Sequence, residues 1–239
     1  TVKVEFLQSS ERMFKKSLET PPSKRLDNIL DEREIKRYLQ TITQQLEVLD
    51  FFQLKVSSKL TKNRQLALFE LSLFRSGREQ FMTACELLSL GNFDLAFHLT
   101  QVFRLPITKI YQNALRQLAK EKQSKPILNL LNLMKGTVDT LSFDEVVMGV
   151  IDLWVVQHHD FKQAEKLTHH LISPINQVKG LLMCKKYKLA YIQAVKSDHA
   201  QAGVQLVLNA AQKNPKQAGR ILQMCQTFLS SSSSSSSSS

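Results

Sequence analysis

Glycine and proline are scarce in this chain, seven and six among 239 residues. A β-sandwich or a doubly wound sheet would usually need more turn residues than that. Long apolar runs are missing too. No stretch of 18 apolar residues occurs, which excludes a transmembrane helix. No secretory leader pattern is visible. The chain begins at Thr1, so it reads as a piece of a longer protein whose own targeting signal is out of view. Cysteine is limited to Cys85, Cys184 and Cys225. With no CxxC pair there is no zinc finger in this fragment. Each cysteine falls on or beside an apolar helical stripe, so buried free thiols in a reducing compartment are expected. P-loop, dinucleotide, nucleophile-elbow and Ser-His-Asp patterns are all missing. Asp94, Asp144, Asp152 and Glu165 are read as lone carboxylates at caps or on polar faces. An enzyme is therefore not expected, nor a cofactor or a metal.

What the chain does have is one amphipathic helix after another. Phe143, Val146, Val147, Val150, Ile151, Trp154 and Val155 follow i, i+3, i+4, i+7, i+8, i+11, i+12 spacing, a single apolar face held for three turns. Ser142 with Glu145 reads as its capping box. Asp31 with Glu34 opens a long helix to about residue 56, its stripe being Ile35, Tyr38, Leu39, Ile42, Leu46, Leu49 and Phe52. From Gly77 onward the starts and stops come close together. Gly91-Asn92 ends one helix, Pro106 and Pro126 open others, and Lys135-Gly136 closes the second of these. Asp160 caps the next, then Ser173-Pro174 and Pro215 open two more. Tyr187, Ala190, Tyr191, Ala194 and Val195 form another stripe, as do Val204, Val207, Leu208 and Ala211. Such short faces cannot be buried alone and must stack on neighbours. The expected fold is all-α, an irregular α-solenoid of antiparallel helix hairpins. Its organisation is a partly disordered linker over 1–30 with a short helix near Met13–Leu18, and a helical domain over 31–229. Within that domain 57–76 is a loop or connector and 77–229 the hairpins. A disordered serine tail over 230–239 follows.

The charge is strongly one-sided. The net formal charge is +11, and between Lys179 and Leu229 eight basic residues face one acid, Asp198. That bias suits an acidic partner: a protein, an anionic membrane or a nucleic acid. The bland alternative is a solvated helix face. Lys179, Lys185, Lys186, Lys188 and Lys196 are the candidate partner-binding residues. Lys185-Lys186-x-Lys188 beside Tyr187 and Tyr191 looks like basic residues interleaved with aromatics. Both tyrosines fall on the inward stripe, however, which disfavours nucleic acid. His158-His159 and His169-His170 are the most tempting ligand-like constellation. Both pairs fall at helix ends, where cations suit the macrodipole. Consecutive side chains on a helix also diverge by about 100°, so zinc is disfavoured there.

The segment Ile175–Lys196 carries a resemblance. Asn176, Val178, Lys179, Leu182, Cys184, Lys185, Ala190, Tyr191, Ala194, Val195 and Lys196 match an Asn-x-Val-(Lys/Arg)-x-(Tyr/Leu)-Leu-x-Cys pattern followed by Leu-x-x-Ala-Tyr-(Leu/Ile)-x-Ala-Val-Lys. This resembles the C-terminal helical region of the spastizin family, the large FYVE-finger proteins of hereditary spastic paraplegia. Further similarity falls at Leu46-Glu47-Val48, Phe93–Ala96 and Leu118–Lys122, and it spans roughly 31–56 and 77–213. Arg104–Thr108 looks like an insertion, and the family's lipid-reading finger is absent from this sequence. The resemblance implies a non-catalytic interaction scaffold in the cytoplasm, peripheral on endosomes and lysosomes. It implies large protein partners, a spatacsin-like protein and subunits of the fifth adaptor complex, and a role in trafficking and lysosome reformation. The alternative is a basic module for anionic membrane surfaces or nucleic acid.

Overall fold

Every regular element among the described residues is a helix, and the one β-type contact is an isolated bridge between Lys135 and Val138. The computed structural model describes residues 2–19, 32–53, 68, 70–75 and 77–234. The chain divides into two compact units, residues 1–110 and 111–239. The all-α expectation is met.

Unit 1 contains α1 (Val2–Glu19), α2 (Glu32–Phe51), α3 (Gly77–Ser89) and α4 (Phe93–Val102). The linker expected over residues 1–30 is corrected in its first part, since α1 is a helix of 18 residues. Its apolar edge, Val4, Leu7 and Phe14, is sparse but helically spaced. It packs with Leu46 around Ile42 and Leu49 of α2. Phe14 also stacks on Tyr38 at 5.9 Å, which leaves Tyr38 43% exposed rather than inside the stripe. A helix this polar draws its stability from that docking rather than from propensity. Pro21-Pro22, the Asp31 cap and most of the 57–76 connector lie outside the described residues.

α2 buries more than its apolar stripe. Gln44 and Gln45 are 2% and 1% exposed. Their amides serve as joints: Gln45 Oε1 accepts from the Leu73 N–H at 2.6 Å, and Gln44 Nε2 meets His98 Nε2 of α4 at 3.0 Å. The described part of the connector is helical at Leu68 and Glu70 and turns at 73–74, held further by Ser72 N–H donating to Glu79 Oε2 and Gln80 Nε2 donating to Leu73 O.

Unit 2 follows from α5 (Ile107–Lys120), the division falling in its first turn. Then come α6 (Ser124–Met134), α7 (Thr140–Val156), α8 (Phe161–Thr168), α9 (Pro174–Met183), α10 (Tyr187–Lys196), α11 (Ala200–Lys213) and α12 (Pro215–Ser234). From α9 on, each helix packs on its successor. α7 packs on α9, α9 on α11 and α10 on α12. Contact with the next and the next but one is the signature of a two-layered helical stack. Val178, Ala190, Val204, Val207, Ala211 and Cys225 sit in its continuous core. The crossing of α10 and α11 is close. A Cβ on Gly203 would lie 2.9 Å from Ala194 Cβ and 3.2 Å from its Cα, so glycine is required there for close approach.

Several element starts differ from the expected ones. α7 begins at Thr140, capped by Asp139, whose carboxylate accepts from the Ser142 N–H at 2.9 Å. The Ser142–Glu145 box is therefore one turn late. Bonds to Ser142 hold the Asp139 carboxyl below its ordinary range. Pro106 precedes α5 and its carbonyl accepts from Ile110. Pro126 is the third residue of α6, where a missing N–H costs nothing. Ser230–Ser234, expected in a disordered tail, continue α12; Ser230 and Ser231 hydroxyls donate back to the carbonyls three residues before.

The scarcity of glycine has a structural counterpart. Four helices end in the same left-handed cap, in which a residue bonds back five positions: Asn92 to Leu87, Leu105 to Thr100, Gln123 to Leu118 and Lys186 to Leu181. The left-handed residue before each is Gly91, Arg104, Lys122 and Lys185. Three of the four are cationic. A cation is favourable beside the carbonyl end of a helix, which offsets part of the strain a side chain meets there.

Candidate interaction site

The segment Ile175–Lys196 folds as one hairpin: α9, the turn Cys184–Lys186, and α10. Its start is built by a residue from another helix. Asp144 of α7 is 1% exposed. Its carboxylate accepts from the Ile172 N–H at 2.7 Å, the Ser173 N–H at 2.9 Å and Asn176 Nδ2 at 3.0 Å. Ser173 occupies the N-cap position of α9 but makes no side-chain cap bond. Asp144 supplies that anionic cap from the neighbouring hairpin. The expectation that Asp144 lies on a polar face or caps its own helix is corrected, because the donors it serves lie 28 residues or more along the chain.

Packing accounts for most of the hairpin. Val178, Cys184, Tyr187, Ala190 and Ala194 are buried. Gln177 ties Leu171 O at 2.7 Å and receives Gln193 Nε2. Val195 was expected inward and is 37% exposed. Burial pushes the Cys184 thiol up to about 11, with Glu165 adding to the effect. Cys85 and Cys225 are buried free thiols as well.

The five candidate lysines separate into two groups. Lys185 is the left-handed residue of the turn, φ 60°, and its Nζ stands 5.0 Å above the Phe161 ring centroid. Lys186 pairs with Glu165 at 2.8 Å, its own side chain 43% and Glu165 23% exposed. Both therefore tie the hairpin to α8. Lys179, Lys188 and Lys196 are exposed, and no carboxylate among the described residues pairs with them. They form the open part of the basic surface. Tyr187 is only 7% exposed, so it offers no face for base stacking.

The histidines do not converge. His158 Nε2 contacts Ala119 O at 2.9 Å and its ring meets Trp154 edge-on at 5.2 Å. His169 is the C-cap of α8. Among the described residues no group of three or more His, Cys, Asp or Glu is placed to hold a metal ion. No described helix is long and apolar enough to cross a membrane.

Stacked short helices with αL caps and an acid-poor, cationic stretch over 179–229 define a helical-repeat module. Comparison with known proteins places it more narrowly. The family model described as ZFYVE26-like, TPR repeats matches residues 106–230, and the chain belongs to that family. A Dictyostelium discoideum protein is 31% identical over 201 residues, covering 84% of this chain and 7% of that protein. Zinc finger FYVE domain-containing protein 26 of Rattus norvegicus is 27% identical over 190 residues, 76% of this chain. The Homo sapiens protein of that name is 26% identical over the same length. The chain spans about 7% of the length of these relatives. No solved structure matches. The resemblance to the spastizin family drawn from Ile175–Lys196 is thus met.

Proposed function

We propose that this chain is a non-catalytic binding module that holds large protein partners at the cytoplasmic side of endosomes and lysosomes. The proposed partners are a spatacsin-like protein and subunits of the fifth adaptor complex, and the proposed role is in trafficking and lysosome reformation. The observation that carries this reading is the two-layered stack of α7–α12 with Lys179, Lys188 and Lys196 unpaired on its surface. A stack of this kind presents an extended surface to another protein, and open lysines favour an acidic one. The relatives are named for a FYVE-domain zinc finger, a part distinct from the helical stack described above. A second reading is direct contact with anionic lipid, favoured by the acid-poor stretch 179–229.

The test is a pull-down with the immobilised chain and purified candidates presented one at a time: the spatacsin-like protein, each adaptor subunit, and phosphatidylserine vesicles. Retention of at least one protein is expected. Lys188→Glu with Lys196→Glu should weaken it roughly tenfold at low salt, each exposed pair contributing about 0.2–1 kcal/mol before repulsion is added. Retention of vesicles and of none of the proteins would overturn the module reading in favour of the lipid one.

A further inference from the structure

The helix α10 is apolar on two sides. Tyr187, Ala190 and Ala194 are buried in the stack. Leu189, Ile192 and Val195 recur three residues apart elsewhere on the helix and are 43%, 38% and 37% exposed. They rise about 9 Å along the axis. Exposed Lys188 and Lys196 flank the stripe. Helical geometry sets Tyr191 between the buried face and Val195. Tyr191 also lines a groove of about 800 Å³, open solvent included, with Arg220, Met224 and Phe228 of α12. Met224 is itself 39% exposed. The stripe therefore adjoins a mixed groove, in which Met224 and Phe228 lie among Gln223, Thr227, Ser231 and a third cation, Arg220.

We propose that this stripe and the adjoining α10–α12 groove dock an acidic amphipathic helix of a second protein. The inference rests on the binding-module reading and names its surface and the chemistry of its partner. A ridge of three aliphatic side chains over about 9 Å matches an incoming helix with apolar residues at i, i+3 and i+7, which span about 10.5 Å. Carboxylates on the flanks of that helix would meet Lys188, Lys196 and Arg220. A second copy of this chain does not fit, because the surface from Lys179 to Leu229 holds one acid against eight bases and self-docking would oppose like charges. A bilayer fits less well. The stripe is only three residues long, and its side chains are more than half covered by the protein surface. They cannot reach the roughly 5–10 Å depth of an interfacial helix.

The probe is a fluorescein-labelled helical peptide carrying Leu at i, i+3 and i+7 with Glu on both flanks, titrated against the 239-residue chain. A Kd of about 1–100 μM is expected. Ile192→Gln and Leu189→Gln, both at exposed positions, should each weaken it about tenfold without loss of helicity. Lys188→Glu with Lys196→Glu should do the same at low salt and less at high salt. No binding of the peptide overturns the proposal. So does equal binding of a peptide with Lys in place of Glu, or binding untouched by both Gln variants. Binding of phosphatidylserine vesicles that the Gln variants abolish, without peptide binding, assigns the stripe to a membrane instead. If purified protein partners are retained equally by wild type and Ile192→Gln, the module reading stands and this surface falls. If the peptide binds at the stripe and no purified candidate is retained, this surface stands and the partner assignment falls.

Discussion

Asp144 offers the sharpest test of how the stack is held. Three donors end on one carboxylate at 2.7, 2.9 and 3.0 Å, and the side chain has almost no contact with water. A hydrogen bond to a charged group contributes about 1.5–3 kcal/mol. Ile172 is 42% exposed, so the backbone donors can turn partly to solvent when the carboxylate is removed. The three bonds together are therefore worth somewhat less than three times the lower end, and Asp144→Ala should cost about 3–4 kcal/mol. For a unit of this size that corresponds to a fall in Tm of about 10 °C. Asp144→Asn keeps the shape but loses the charge, and its amide N–H₂ must face donors; about 2–3 kcal/mol is expected. Asn176→Ala removes a single bond and should cost about 1 kcal/mol. The double variant Asp144→Ala with Asn176→Ala should be little worse than Asp144→Ala alone, because the two share one interaction. The assay is thermal and urea unfolding followed by far-ultraviolet circular dichroism. If Asp144→Asn melts within about 2 °C of wild type, the trans cap does not hold α9 and the reasoning fails.

Other expectations follow from the same packing. Gly203→Val should force α10 off α11 and cost about 2–3 kcal/mol despite the better helix propensity of valine over glycine; a stability equal to wild type in urea would refute the close crossing. Burial, with Lys135 and His169 nearby, lowers the His170 pKa below its ordinary 6.5. The folded state thus favours neutral imidazole, so this contribution is fully present above pH 6.5 and declines as pH falls through that value toward the folded pKa. His170→Gln should flatten the stability profile across that acid window, and an unchanged slope would dismiss the assignment. The thiols of Cys85, Cys184 and Cys225 are pushed up to about 12, 11 and 11 by burial. Iodoacetamide at neutral pH should label them only after denaturation, and rapid labelling of the native protein would show that these helices open.

The sequence alone determined the helices of unit 2 and most of their inward faces. Apolar spacing is a local property, so Phe143 through Trp154 could be placed in the core without knowing what lies opposite. It also determined that a stack was needed, since the apolar faces of such short helices have no other way to leave water. Tertiary structure decided the rest. α1 was missed because Val4, Leu7 and Phe14 make a convincing edge only once α2 lies against them. Burial of Asp144, Gln44 and Gln45 depends on donors and acceptors supplied by distant segments, so no pattern within their own helices announces it. Val195 could not be oriented from its spacing, because α10 is apolar on both sides and its period selects neither. Among the candidate lysines, charge was legible and availability was not. The way α8 lies beside the α9–α10 hairpin gives Lys186 to Glu165 and Lys185 to Phe161, and leaves Lys179, Lys188 and Lys196 open. Helix periodicity records which side of a segment avoids water. Which polar groups are already satisfied depends on neighbours that the chain brings together only when it folds.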